Sequence, residues 1–201
     1  HAPYSVSDAS FERIATYAAE LDLPVHLHLH ETVDEINESL KVHNERPISR
    51  MRRLGLLGPG LIAVHAVHLD PAETELLAQE GCHVAHCPAS NLKLASGIAP
   101  VAAMRRAGVN VGLGTDSAAS NNSLNMLGEI RLAALLAKGS SGDPTAVPAQ
   151  AALEMATLNA ARALGLQECI GSLRPGKRAD IVAVDFGALE LSPCYDPLSH
   201  L

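Results

Sequence analysis

The sequence has 201 residues, a formal net charge of −7, 47% hydrophobic residues and only 2% aromatic residues. An acidic chain with few aromatics does not fit a nucleic-acid-binding surface, which needs clustered Lys and Arg and stacking rings. No apolar run approaches the ~20 residues that a membrane-spanning helix needs, so we predict neither nucleic acid nor membrane among the partners.

Helix and strand signals alternate along the chain. The first helix is predicted over 7–21, with Ser7 and Asp8 as candidate caps, and it is followed by a strand over 25–30. Later helices are predicted at 33–42, 47–57, 71–79, 98–107, 125–138 and 148–164. Later strands are predicted at 61–69, 82–87 and 109–115, with the segment PASNLKLASG (88–97) as a loop.

Short apolar strands separated by helices are typical of βα units in a parallel sheet. Four such units amount to half of an eight-stranded barrel, and a doubly wound sheet is the alternative. No G-x-G-x-x-G follows a strand, so a Rossmann nucleotide site has no support. After residue 165 the chain becomes turn-rich, and we predict a small β module with a strand over 179–186.

Four cysteines occur without a CxxC pair, which predicts free thiols in a reducing compartment. No targeting segment is visible, and we expect a cytoplasmic protein. The chain starts with HAPY and stops at PLSHL, and we interpret both ends as cuts through a longer protein.

Polar side chains follow each predicted strand. In a parallel barrel the functional groups gather at the carboxyl ends of the strands. A single buried histidine is usually a core residue, but four successive strands with imidazole or carboxylate favour a site for Zn²⁺ or Fe²⁺. The candidates are His28, His30, Glu31, His65, His68, His83, His86 and Asp116.

The stretch PVHLHLHE (24–31) places three histidines on alternate positions. Alternation sends His26, His28 and His30 to one face of the strand, about 6–7 Å apart, so at most two can bind one ion. We expect His26 to be a hydrogen-bonded core residue and His30 to face the pocket without an assigned role. His68, His83 and His86 are expected to be structural.

The segments PVHLHLHET, AVHAVHL, HCPASNLKLASG and LGTDSAASNNSLNM, in that order, resemble the amidohydrolase superfamily. More narrowly they resemble its 5-methylthioadenosine/S-adenosylhomocysteine deaminase branch, next to the triazine chlorohydrolases. The resemblance implies a (β/α)8 TIM-type barrel with a small β-sandwich and one divalent metal ion. Residues 1–166 would be the second half of the barrel, and 167–201 would begin the sandwich.

The resemblance also implies roles. His28 would bind the metal, and Asp116 would bind it and take the proton from the bound water. Glu31 would protonate the substrate ring and contact the base, His65 would stabilise the tetrahedral intermediate, and His1 would contact the substrate. The implied reaction converts an adenine base to a hypoxanthine base with release of ammonia.

One departure from the family pattern concerns the metal. The superfamily has a His-x-His pair on its first barrel strand, and His26-x-His28 is not that pair, because only 88 positions separate His28 from Asp116. That distance holds three more βα units but not seven. The chain therefore carries half a metal site, and we expect a fragment whose two further histidines lie on an absent strand.

Alternatives remain open. The substrate is expected to be 5′-methylthioadenosine or S-adenosylhomocysteine, but a guanine, 8-oxoguanine or triazine hydrolase has the same fold. A non-catalytic scaffold relative is the alternative outside the enzymes, and the retained polar residues argue against it. Zinc is expected over iron, and the family resemblance implies a homo-oligomer.

Overall fold

The chain folds around a parallel sheet. The computed structural model describes residues 1–200, apart from the side chain of Glu190. Its strands are β1 (Val25–Leu29), β2 (Leu61–His65), β3 (His83–His86) and β4 (Asn110–Leu113). Their order in the sheet is β1-β2-β3-β4, and each neighbouring pair is parallel. A doubly wound sheet reverses its strand order at a switch point. This sheet does not, which fits four consecutive units of a barrel.

Helices connect the strands. They are α1 (Asp8–Leu21), α2 (Val33–His43), α3 (Pro47–Arg53), α4 (Pro71–Gln79), α5 (Pro88–Lys93), α6 (Val101–Ala107), α7 (Ala118–Asn121), α8 (Met126–Ser141), α9 (Ala149–Ala156), α10 (Leu158–Ala163) and α11 (Pro197–His200). Pro3–Ser5 and Leu189–Leu191 form single 3-10 turns. In the described part of the chain, no helix has the length and apolar character needed to cross a bilayer.

Helix starts follow the capping chemistry of the sequence. Ser7 accepts a hydrogen bond from the N–H of Ser10 and caps α1, as predicted. Thr32 caps α2, and Asp70 caps α4 in a reciprocal capping box with Glu73. Each cap satisfies backbone N–H groups that the first turn of a helix leaves without a partner.

Strand register separates two faces of the sheet. The row Leu27, Ala63, Val84 and Val111 is buried in the main hydrophobic core. The row His28, Val64, Ala85 and Gly112 faces the opposite side, where it lines a cavity of about 360 Å³. The period-two alternation of the strands therefore presents His28 to the cavity and leucine side chains to the helices.

Several predicted boundaries are wrong. The strand predicted over 61–69 ends at His65, because His65 and Ala66 have φ of 74° and 48° and turn the chain away. The predicted loop 88–97 contains α5, which has proline at its first position. The helix predicted over 47–57 ends at Arg53, and the one over 148–164 breaks at Thr157, where φ and ψ are −126° and −91°.

The predicted strand over 179–186 is not formed. Ile181 and Val182 are 63% and 86% exposed. A strand needs a neighbour for its backbone hydrogen bonds, and this segment pairs with none of the four strands of the described sheet. The division at residue 166 and the β module beyond it stay predictions.

Candidate metal and catalytic site

His28 lies near the carboxyl end of β1, half-buried, with its ring in the cavity. Its ring Nδ1 lies 3.1 Å from the carbonyl oxygen of His1, which also accepts the backbone N–H of His28. A carbonyl only accepts, so Nδ1 carries the hydrogen and the neutral ring keeps a lone pair on Nε2. Metal-binding histidines are commonly held by this arrangement, in which the second ring nitrogen donates to a carbonyl or carboxylate.

Glu31 and His65 lie beside His28. The rings of His28 and His65 are stacked, with centroids 5.4 Å apart and planes inclined by 17°. Nε2 of His65 is 3.8 Å from Oε2 of Glu31, and Nδ1 of His65 is 2.8 Å from Oδ1 of Asn91. The hydroxyl of Ser96 donates to Oε1 of Glu31 at 3.3 Å. The structure thus brings three predicted site residues together.

Asp116 follows β4 and lines the same cavity as His28. The hydroxyls of Ser90 and Ser120 both donate to its Oδ2, at 2.7 and 2.6 Å. Burial raises the pKa of the Asp116 carboxyl, but the two hydroxyls, the backbone N–H of Ser117 and the nearby His65 together hold the pKa below its ordinary value. The side chain is therefore an oriented carboxylate.

The loop that carries Asp116 is tied to the loop after β3. Asn121 donates to the carbonyl of Thr115 at 2.6 Å and to Oε1 of the buried Glu129 at 2.8 Å. The other carboxylate oxygen of Glu129 accepts the N–H of Ala89 at 3.1 Å. The start of α5 after β3 and the end of α7 after β4 are therefore held by one carboxylate.

Three residues at this edge have left-handed backbone conformations. His30, His65 and Asp116 have φ of 57°, 74° and 57°. Such conformations are unfavourable for residues with a Cβ and persist only where surrounding contacts enforce them. They cluster at functional sites, and here they lie at or just after the ends of three of the four strands of the described sheet.

The expectation for His30 is wrong. β1 ends at Leu29, and the turn at His30 carries its ring away from the cavity. His30 is fully buried, where Nε2 accepts the N–H of Ile48 at 3.1 Å and Nδ1 donates to the carbonyl of His68 at 3.2 Å. His26 is exposed on the cavity face of the four-stranded sheet, and its expected position in the core of a complete barrel stays a prediction.

Three other histidines have structural surroundings. Nε2 of His68 donates to the carbonyl of Ser96 at 2.8 Å, which holds the segment that reaches Glu31. Nδ1 of His83 accepts from the amide of Asn110 at 3.0 Å. His86 is buried, burial lowers its pKa to about 4, and its Nδ1 has no hydrogen-bond partner. It is therefore neutral.

Residues 1–200 contain no group of three or more His, Cys, Asp or Glu side chains that could hold a metal ion. Among the residues that line the cavity, His26, His28, Cys87 and Asp116 have side chains that can bind a metal, and His28 and Asp116 are the two predicted ligands. His1 contributes its carbonyl to His28, and its own side chain is exposed.

Sequence reasoning missed several residues of this site. Glu35 binds the backbone of His30 and Glu31, Asn91 contacts His65, and Ser90 contacts Asp116. For Glu35 a signal existed, because Thr32 and Glu35 have the spacing of a capping box. Ser90 and Asn91 lie in a segment predicted as a loop, and no local pattern pointed to their partners.

Known proteins match the whole chain. A 5-methylthioadenosine/S-adenosylhomocysteine deaminase of Teredinibacter turnerae is 52% identical over 201 residues, which are 100% of this chain and 46% of that protein. An adenosine deaminase from Xanthomonas campestris, solved with bound zinc, has a TM-score of 0.97 at 52% identity and covers 99% of this chain and 45% of its own. An atrazine chlorohydrolase from Arthrobacter aurescens, complexed with zinc, has a TM-score of 0.91 at 30% identity over 96% of this chain and 43% of its own.

The chain thus spans less than half the length of the relatives it matches. The TM-scores of 0.97 and 0.91 to these solved relatives confirm the fold as part of an amidohydrolase barrel. The Amidohydrolase family matches residues 1–201. This chain belongs to the amidohydrolase family.

Proposed function

We propose that the full-length protein carrying this chain hydrolyses the amino group of 5′-methylthioadenosine or S-adenosylhomocysteine. The observation that supports it is that His65 stacks on His28 and lies 3.8 Å from Glu31, while Asp116 lines the same cavity as His28. The relative from Teredinibacter turnerae bears the name of this activity at 52% identity.

The donor set fits a divalent metal ion. His28 has its Nδ1–H engaged by the carbonyl of His1, which leaves Nε2 for a metal, and Asp116 is held as a carboxylate by two hydroxyls. We propose that these two residues bind Zn²⁺, or Fe²⁺, together with two histidines outside this chain. When bound, such an ion lowers the pKa of a coordinated water to about 7 and so supplies a nucleophile at neutral pH.

Glu31 and Asp116 carry out different proton transfers. Addition of water oxygen to the amino-bearing carbon of the purine pushes electron density onto the adjacent ring nitrogen, and Glu31 donates a proton there. Asp116 accepts one proton of the attacking water and passes it to the departing amine, so the carbon–nitrogen bond breaks with loss of ammonia. The second water proton leaves the new hydroxyl as the carbonyl forms and restores the Glu31 acid. His65, stacked on His28, hydrogen-bonds the new oxygen through Nε2. His1 contacts the substrate.

Ammonia release tests this proposal. The full-length gene product is expected to release ammonia from 5′-methylthioadenosine or S-adenosylhomocysteine, but not from guanine, 8-oxoguanine or an aminotriazine. Asp116→Asn and Glu31→Gln are expected to lower kcat at least about 100-fold, the scale of general acid–base catalysis. Unchanged kcat in Asp116→Asn would contradict the mechanism.

A second candidate is hydrolysis of a triazine, which the similarity to the atrazine chlorohydrolase supports. Chloride or amine release from a triazine, without ammonia from either adenine nucleoside, would select it. A scaffold role would be selected by the absence of both activities and of stoichiometric metal. We further propose a cytoplasmic homo-oligomer, which size-exclusion chromatography with light scattering would test for oligomeric state.

A further inference from the structure

A buried carboxylate in the first turn of α2 takes no part in the proposed chemistry. Glu35 is 4% exposed. Its Oε1 accepts the backbone N–H of His30 at 2.9 Å, and its Oε2 accepts that of Glu31 at 2.8 Å. Burial raises the pKa of Glu35, and the two N–H donors act in the opposite direction by stabilising the charge. Both oxygens are thus committed to the segment that carries Glu31.

This contact differs from ordinary helix capping. In a capping box, the carboxylate of the third helical residue returns to the N–H of the cap residue, here Thr32. Thr32 does accept the N–H of Glu35, at 3.2 Å. The carboxylate of Glu35 instead reaches one and two residues further back, to Glu31 and His30. It therefore binds the turn between β1 and α2 rather than the helix end alone.

The turn needs such a contact. His30 has φ of 57°, a left-handed conformation that is unfavourable for a residue with a Cβ. Its backbone N–H is held by Glu35, and its ring is held by Ile48 and His68. The turn at His30 ends the period-two alternation of side chains along β1. The next residue, Glu31, then has its carboxylate near Nε2 of His65.

We infer that Glu35 is a positioning residue that fixes the backbone of Glu31, so that the Glu31 carboxyl reaches the ring nitrogen of the substrate. Ser96 holds the same carboxyl from the other side. The inference rests on the proposed function, because it gives Glu35 an effect on catalysis only through Glu31. A misplacement of about 1 Å in a reacting group can lower a rate about 100-fold, so the orientation of this turn matters for the reaction.

The test uses Glu35→Gln in the full-length gene product. Glu35→Gln keeps the volume but turns one acceptor into a donor that faces an N–H group. We expect kcat to fall about 10- to 100-fold, as for partners that orient catalytic groups, with KM and metal content little changed. The matched control is Asp34→Asn, which removes an exposed charge from the same helix turn and is expected to keep wild-type kcat.

A double-mutant cycle separates positioning from a purely structural role. In a Glu31→Gln background, Glu35→Gln is expected to lower the residual rate no further, because the group that it positions is gone. The same fold-loss in both backgrounds, or a wild-type kcat in Glu35→Gln, would overturn the inference. Amide hydrogen exchange gives a readout without substrate. The N–H groups of His30 and Glu31 should lose protection in Glu35→Gln and keep it in Asp34→Asn, and retained protection in Glu35→Gln would also overturn it.

Failure of the proposed function has a different signature. If the wild-type protein releases no ammonia from either nucleoside, or if Glu31→Gln retains wild-type kcat, the assigned reaction or the acid is wrong whatever Glu35 does. If both tests of Glu31 succeed and Glu35→Gln behaves as wild type, only the positioning role of Glu35 is wrong.

Discussion

Arg50 is a buried cation that ties the first residues of the chain to α3. It is 1% exposed. Its guanidinium donates to the carboxylate of Asp8 at 2.8 Å and to the carbonyls of Pro3 and Val6 at 2.6 and 2.9 Å. The guanidinium also lies 5.3 Å from the ring centroid of Phe11. We predict that Arg50→Ala is strongly destabilising.

The magnitude follows from the exposure of the partners. Removing one member of a buried ion pair costs about 3–5 kcal/mol. Because the side chain of Asp8 is 35% exposed and can be rehydrated, the lower end, about 3 kcal/mol, applies here. Arg53 supplies a matched control, since it also binds Asp8, at 3.0 Å, but with 48% of its side chain exposed. Surface pairs of that kind contribute little.

The assay is urea denaturation of the full-length gene product, combined with hydrogen exchange of residues 1–7. Arg50→Ala should lower the denaturation midpoint and expose these amides, whereas Arg53→Ala should do neither. Equal midpoints for the two variants would refute the reasoning. Because the carbonyl of His1 holds Nδ1 of His28, Arg50→Ala should also weaken metal retention.

The pH dependence of this ion pair has a definite sign. Its hydrogen bond from Arg50 lowers the pKa of Asp8 from an ordinary value of 3.8. A lowered pKa in the folded state stabilises the protein at pH values above the ordinary pKa, and the contribution is lost as pH falls through the lowered pKa. As pH falls below about 4, Arg50→Ala should therefore lose less stability than the wild type. Urea denaturation midpoints measured across this pH range check the difference.

Three further outcomes are expected. Ser90→Ala removes one of the two hydroxyls that donate to the Asp116 carboxylate, and it should lower metal affinity or kcat about 10-fold. Metal titration and ammonia release measure the two quantities, and no change in either would contradict the orienting role of Ser90. Gly139→Ala should raise the free energy of unfolding by about 0.5–1 kcal/mol, because no atom lies within 4 Å of the added Cβ in α8, and a lower urea midpoint would contradict it. Burial raises the pKa of Cys82 and raises that of Cys87 to about 12, so both thiols should resist thiol reagents in the native protein. The other two cysteines, Cys169 and Cys194, should react, and mass spectrometry counts the modified thiols.

The order of strands and helices could be predicted because it depends on local patterns. Apolar runs between capping and turn residues located all four strands of the described sheet. The strand ends gave eight candidate residues, and the family resemblance selected His28, Glu31, His65 and Asp116 among them. Ser7 showed its cap in the sequence because a cap and the N–H that it satisfies are neighbours along the chain. The alternation of β1 likewise predicted which face carries His28.

The errors share one cause, which is that backbone turns and side-chain partners depend on residues far apart in the sequence. Period-two alternation placed His30 with His28, but the left-handed turn at His30 is enforced by Glu35, Ile48 and the carbonyl of His68. The segment 179–186 alternates like a strand, yet a strand forms only with a partner for its backbone groups.

The amino-acid sequence by itself therefore determined the βα rhythm, the capping residues and which chemical groups lie at the carboxyl edge of the sheet. Only the tertiary structure decided which oxygen orients each of those groups. The carbonyl of His1 holds His28 across 27 positions, and Ser90 holds Asp116 across 26. Such hydrogen bonds form where packing brings distant segments within about 3 Å. A local sequence pattern does not predict which distant segments come together.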